Sequence, residues 1–204
     1  MYPGSELGTL VGHVVEDSKA FCREKHGDHP EMSVARVVPS RGGNDDKAAQ
    51  GSVILAPFVA FSLHELLKNA MGAHVRLVGA DRLDRLAPVE VRYGLHAGMA
   101  YVGVADYGGG WAAAPVAASQ FLHTTNPERE PNYTYSRNFG STFEGLGMGL
   151  PLARLHAEYL GGELHMHTIP ATSRDRPAGA YASFTFATTG DVKEPDVAWA
   201  DFDE

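Results

Sequence analysis

Two helix-forming segments are each followed by a β-hairpin, and that order restricts the chain to few architectures. Residues 57–78 form the longer segment, and Pro57 suits its first turn because a missing N–H costs nothing there. Residues 89–95 and 99–105 are two alternating or apolar runs joined by His96, Ala97 and Gly98, which reads as a hairpin. A second helix is expected over 150–160, stopped by Gly161 and Gly162 where a left-handed residue is wanted. A second hairpin follows, with strands at 163–169 and 180–188. Ahead of both pairs, Leu7, Leu10, Val11, Val14, Val15, Phe21 and Cys22 fall on one side of a helical wheel over 7–25. Gly27 and Pro30 lie where that helix should stop, and residues 32–38 suit a strand. Helices should therefore cover one face of a mixed, mostly antiparallel sheet. The predicted fold class is α/β, a two-layer α/β sandwich.

The remaining segments are connections. Residues 39–51, with Gly42, Gly43, Asn44 and Asp45, have no periodicity and read as a loop. A short helix over 115–123 leads into 124–144, a polar, proline-containing stretch of the length that usually serves as a functional loop. Residues 191–204 form an acidic tail carrying Trp199 and Phe202, so one domain is expected over 1–190.

Composition excludes several classes. With 44% hydrophobic and 21% charged residues in 204, the chain can bury a core, unlike a disordered protein. A net charge of -8 argues against general attraction to nucleic acid or an anionic membrane surface. Cys22 is the only cysteine, so neither a disulfide framework nor a multi-cysteine zinc site is open to this chain. The longest apolar run, 53–61, is interrupted by Pro57 and falls far short of the roughly 20 residues of a membrane span. No transit or signal sequence is visible at the start.

Three motifs carry chemistry. Glu65 and Asn69 are four apart on the long helix and share a face, with Lys68 adjacent. The amide oxygen of Asn69 is a hard donor suited to Mg²⁺, and Glu65 can orient or deprotonate a hydroxyl. Asp106-Tyr107-Gly108-Gly109-Gly110 ends a strand with an acid and then residues lacking Cβ. A flat ligand can approach such backbone while the carboxylate accepts a hydrogen bond, as from an adenine amino group. Gly145-Leu146-Gly147-Met148-Gly149-Leu150 leads into a helix start, where free N–H groups and the dipole bind phosphate without basic side chains. Taken singly, each has an ordinary explanation: an exposed helix face, a β-turn, a glycine hinge. One nucleotide site explains all three.

In this order and spacing the motifs resemble the Bergerat-fold ATP-binding domain shared by gyrase, the heat-shock chaperones of that class, MutL and histidine kinases. The wording is closer still to the mitochondrial kinases of pyruvate dehydrogenase and branched-chain α-keto acid dehydrogenase, over about residues 10–186. The resemblance implies that Glu65 is the catalytic base toward a serine hydroxyl, that Asn69 holds Mg²⁺ and that Asp106 binds adenine. It implies nucleotide contacts for Lys68, Gly108, Gly110, Thr124, Thr125, Gly145, Leu146, Gly147, Met148, Gly149 and Leu150, with 126–144 as the ATP lid. It further implies ATP and Mg²⁺ as cofactors and an α-keto acid dehydrogenase complex as partner, reached by its lipoyl domain. That contact belongs to an N-terminal helical bundle for which this chain shows no counterpart. A homodimer and the mitochondrial matrix also follow from the resemblance.

Four positions depart from the family pattern. Phe61 stands where a histidine usually pairs with the acid, and Gly72 replaces an arginine. Tyr107 replaces a polar or basic residue, and Ala180 a threonine near the adenine. His64 neighbours Glu65 but projects roughly 100° away on a helix, so it is no substitute partner. These departures leave open a nucleotide-sensing regulator without transfer activity. A histidine-kinase-like domain is a further alternative, though this chain has no phospho-acceptor helix.

Overall fold

The computed structural model describes residues 2–3, 6–37, 53–96, 98–110 and 148–188. The expected loop 39–51, the helix 115–123, the lid 124–144 and the acidic tail lie outside them, as do Thr124, Thr125, Gly145, Leu146 and Gly147. In chain order the elements are β1 (Tyr2–Pro3), α1 (Leu7–His26), β2 (Met32–Arg36), β3 (Val53–Ile54) and α2 (Ala56–Val78). They continue with a 3-10 segment (Ala80–Arg85), β4 (Val89–His96), β5 (Met99–Asp106), α3 (Gly149–Tyr159), β6 (Leu164–Ile169) and β7 (Gly179–Ala187).

Strands pair in the order β2-β4-β5-β7-β6. Only β2 and β4 run parallel, and α2 lies in the crossover between them, as a parallel pair requires. The other neighbours are antiparallel, so the sheet is mixed and mostly antiparallel, as predicted. Unforeseen from sequence is a second, two-stranded sheet in which Tyr2 pairs with Ile54 and Pro3 with Val53. Runs of two residues show no periodicity.

The helices stop where glycine permits. The φ angles of Gly27, Gly79 and Gly161 are 90°, 84° and 74°, in the left-handed region that favours glycine. Alternation along the strands sends Val89, Val91, Ala100, Val102, Val104, Ala182, Phe184 and Phe186 to the helix side. There they meet Val11 and Val15 of α1, Leu63, Leu67 and Met71 of α2, and Ala157 of α3. Burial of each large aliphatic side chain contributes about 1.5–3 kcal/mol. The result is the two-layer α/β sandwich that the sequence predicted.

The far face has a small cluster of its own, with Tyr101, Ala105 and Tyr181 buried and Val37 and Ile169 against them. The Tyr101 and Tyr181 hydroxyls bond to each other, close to where a Cβ on Gly103 would stand. Strand β5 is consequently buried at every position.

Candidate nucleotide site

One recess opens between the layers. Leu66, Asn69 and Ala70 of α2 line it, with Val104 and Asp106 of β5, Leu150 of α3, and Ala180 and Ala182 of β7. Its walls are apolar except at two places: Asp106, buried at one end, and Asn69, which is exposed to solvent. Ala180 and Ala182 stand opposite Asp106 and Val104 in the strand register, which is why they share this side. An apolar slot ending in one carboxylate suits a flat ring that carries a hydrogen-bond donor.

Asp106 is 6% exposed, and its Oδ1 accepts the Gly108 N–H at 2.8 Å. Burial pushes its pKa up to about 6, against the lowering effect of backbone hydrogen bonds from Gly108 and Ala180 and the charge of Arg76. The backbone around it is tightly fitted. A Cβ on Gly108 would stand 2.5 Å from the Ala73 Cβ and 2.8 Å from the His74 nitrogen, and one on Gly179 would strike the Asp106 carbonyl. Gly109 and Gly110 have φ of 102° and 76°, and the Gly109 N–H donates to the Ala178 carbonyl at 2.8 Å. Beneath the turn, His74 is fully buried and its Nε2 accepts the Tyr107 N–H at 3.0 Å. Burial lowers the His74 pKa to about 4, so the ring is neutral and can accept. That tautomer places the proton on Nδ1, which has no partner among the described residues.

Toward the start of α3, Glu65 pairs with Lys68 at 2.6 Å. Both side chains are nearly buried. The Glu65 carboxylate lies against Gly149, at a spot that a Cβ on residue 149 would occupy. Among the described residues helix α3 has no acid in its first turn and no side-chain cap, so a carboxylate there lies at the positive end of the helix dipole.

The structure thus brings together most of the described site residues. Asn69, Asp106 and Leu150 line the recess, Gly108 holds Asp106, and Met148 and Gly149 begin α3. Gly110 packs on the Gly179 carbonyl, where a Cβ would stand 3.0 Å away. Glu65 and Lys68 are not among the lining residues, because each engages the other. His64 turns to α1, with Nδ1 2.8 Å from the Ser18 hydroxyl and its ring against the edge of Phe21, as its angle on the helix requires. Phe61 packs on His156 with ring centroids 5.0 Å apart and offers Glu65 no polar group. Beside Gly72 the Arg76 guanidinium folds back along the helix, its Nη1 3.2 Å from the position of a Cβ at residue 72. Sequence reasoning missed His74 and the apolar wall of Leu66, Ala70, Val104 and Ala182, which read as ordinary core positions.

Metal donors are sparse. No group of three His, Cys, Asp or Glu residues able to hold an ion occurs among the described residues. His165 pairs with Glu163 at 2.8 Å and His167 lies against Tyr181. Asn69 alone offers a hard, exposed oxygen at the recess, which fits a cation that arrives with phosphate oxygens and water as its other ligands.

This fold and recess define a two-layer α/β sandwich of the Bergerat type. No protein-family model matches the chain. Curated relatives do: it is 27% identical over 173 residues to pyruvate dehydrogenase (acetyl-transferring) kinase isozyme 4, mitochondrial, of Homo sapiens. It is 30% identical over 172 residues to the mitochondrial pyruvate dehydrogenase kinase of Schizosaccharomyces pombe, and 28% over 188 residues to that of Arabidopsis thaliana. These alignments take in 85%, 81% and 88% of this chain and 40%, 38% and 45% of the respective relatives. The chain is a relative of the mitochondrial pyruvate dehydrogenase kinases and spans about 40% of their length.

Proposed function

We propose that this chain is the ATP-binding catalytic domain of a pyruvate dehydrogenase kinase-like protein, transferring the γ-phosphoryl of Mg·ATP to a serine of a mitochondrial α-keto acid dehydrogenase. The observation that carries the reading is the convergence of Asp106, Asn69 and Leu150 on one apolar recess, in a chain related to such kinases. In this reading the base lies between Leu66, Ala70, Val104 and Ala182, and the ionised Asp106 accepts a hydrogen bond from the adenine amino group. Phosphates would extend toward the start of α3 at Met148 and Gly149, which the sequence Gly145, Leu146 and Gly147 precedes. By the same family resemblance, Thr124 and Thr125 would contact the nucleotide and 126–144 would serve as its lid.

Asn69 would hold Mg²⁺, which when bound supplies neutralisation of phosphate charge. Glu65 accepts the proton of the serine hydroxyl as the serine oxygen forms its bond to the γ-phosphorus. The bond from that phosphorus to the β–γ bridging oxygen breaks, and ADP leaves with the electron pair. Lys68 positions the Glu65 carboxylate through their ion pair. An α-keto acid dehydrogenase as protein substrate and a mitochondrial location are proposed with this reading from the relatives' names; a homodimer, the matrix and a lipoyl-domain contact made through an N-terminal bundle are proposed from the family resemblance alone.

Calorimetric titration with Mg·ATP tests the binding premise: wild type binds, and Asp106→Ala weakens binding at least tenfold. No binding, or binding indifferent to Asp106→Ala, would refute it. Incubation with pyruvate dehydrogenase complex and labelled ATP tests transfer, with Glu65→Gln expected to lower labelling by roughly a hundredfold or more while ATP affinity is kept. A nucleotide-sensing regulator is the second reading, favoured by Phe61 standing on His156 and by the engagement of Glu65 with Lys68. It predicts ATP binding with no labelling by wild type.

A further inference from the structure

Tyr107, one of the departures from the family pattern, is gripped from both faces of the sheet. Its backbone N–H donates to His74 of α2 on the helix side. Its side chain lies on the far side, where the hydroxyl donates to Glu90 Oε1 at 2.9 Å and accepts from Arg176 Nη1 at 2.6 Å. Glu90 stands opposite Ala105 in the register, and that fixes it on the far face. Arg176, in the loop between β6 and β7, also reaches Glu90 Oε1 at 3.3 Å and places its guanidinium 4.8 Å from the Tyr107 ring centroid. Arg92 pairs with the other Glu90 oxygen at 3.1 Å. Burial and the adjoining Glu90 carboxylate raise the Tyr107 pKa, so the phenol keeps the proton it donates.

Glu90, Arg92 and Arg176 are not among the lining residues of the recess, yet their network closes on the residue between Asp106 and Gly108. Those two are joined by the hydrogen bond that orients the Asp106 carboxylate. Resting on the nucleotide reading, we propose that Tyr107, held by Glu90 and Arg176, is a positioning residue that aims Asp106 at the amino group of the bound base and so sets the preference for adenine. The loop between β6 and β7 is joined to the same turn by the Gly109 to Ala178 hydrogen bond, and to the approach of β4 by the Ala87 N–H donating to Asp175. Three separate stretches of chain therefore converge on one tyrosine. Such linked polar contacts are cooperative, and removing one loosens the rest.

The test compares Mg·ATP with Mg·ITP, whose base carries a carbonyl in place of the amino group, by calorimetry on the full chain. Tyr107→Phe keeps the ring and deletes the hydroxyl; Arg176→Ala, at a half-exposed position, deletes the other partner without touching the turn. Each is expected to weaken ATP about fivefold, the worth of a hydrogen bond, while ITP affinity stays unchanged. On an Asp106→Asn background the same substitutions should have no further effect on ATP, because they act through that carboxylate. Equal weakening of ATP and ITP, a lowered melting temperature with both affinities unchanged, or additive losses with Asp106→Asn would each overturn the inference. If ATP binds and depends on Asp106 while Tyr107→Phe leaves the ATP-to-ITP ratio intact, this inference alone fails. Absence of ATP binding by wild type would remove the nucleotide reading and this inference with it.

Discussion

At the Asp106 end of the recess, backbone presses on backbone: Gly108 against Ala73 and His74, Gly179 against the Asp106 carbonyl. At the Glu65 end, a side chain fills the space instead, the carboxylate lying in the gap left by the missing Cβ of Gly149 and tied to Lys68. The first arrangement cannot yield without moving the sheet or α2. The second yields by rotation about side-chain bonds. In the proposed reading, the rigid end would hold the base and the adjustable one would present a carboxylate to a second substrate.

Gly108→Ala should break the rigid end and have the largest effect. Its Cβ meets main chain that cannot step aside, so stability should fall by about 2–3 kcal/mol, read by denaturant unfolding. An unchanged midpoint would mean that the turn is not tightly fitted after all.

Asp106→Asn sharpens the comparison through pH. The folded pKa of Asp106, about 6, lies above its ordinary 3.8, so between these values the native chain holds a proton that the unfolded chain has released. Its ionisation therefore lowers stability as pH rises through that window. Asn removes the cost and should gain about 1–3 kcal/mol at pH 8, shrinking below pH 6 and gone near pH 4. His74 has the opposite sign. Its folded pKa, about 4, lies below 6.5, so the unfolded chain takes up protons first and stability falls as pH drops through 6.5 toward 4. In wild type the two slopes oppose each other; in Asp106→Asn the His74 slope stands alone, and acid unfolding should become steeper. A variant with the wild-type pH profile would contradict this.

The adjustable end should show the smallest change in stability. Gly149→Ala is expected to shift it by less than about 0.5 kcal/mol, since the obstructing atoms are the far end of Glu65 and alanine favours the helix. Displacing that carboxylate should nonetheless lower labelled phosphate transfer about tenfold or more. A large loss of stability would show that Glu65 cannot swing and that the two ends are alike.

Much of this was legible in the sequence because local rules govern it. Helical periodicity and the glycine stops placed α1, α2 and α3 within a residue or two of their observed bounds, and alternation located both hairpins. The spacing of Glu65 and Asn69, the acid-glycine turn after β5 and the glycines before α3 pointed to elements that do meet around one recess. What escaped depends on contacts across the chain. Tyr107 and Arg176 are 69 residues apart, and His74 lies 33 residues before the amide it accepts. No periodicity marks such pairs. Gly149 was readable as a source of bare N–H groups, but its second task, making room for Glu65, follows only from the packing of α3 on α2.

Strand β5 has a neighbour along each edge and is buried on both faces. Its amides meet deuterated solvent only when the sheet comes apart, so their exchange should report global unfolding, while the edge strands β2 and β6 exchange through smaller openings. Asp106 terminates this doubly buried strand. A ligand bound there cannot be released by local melting of the strand that holds it; it departs from a wall that stays standing.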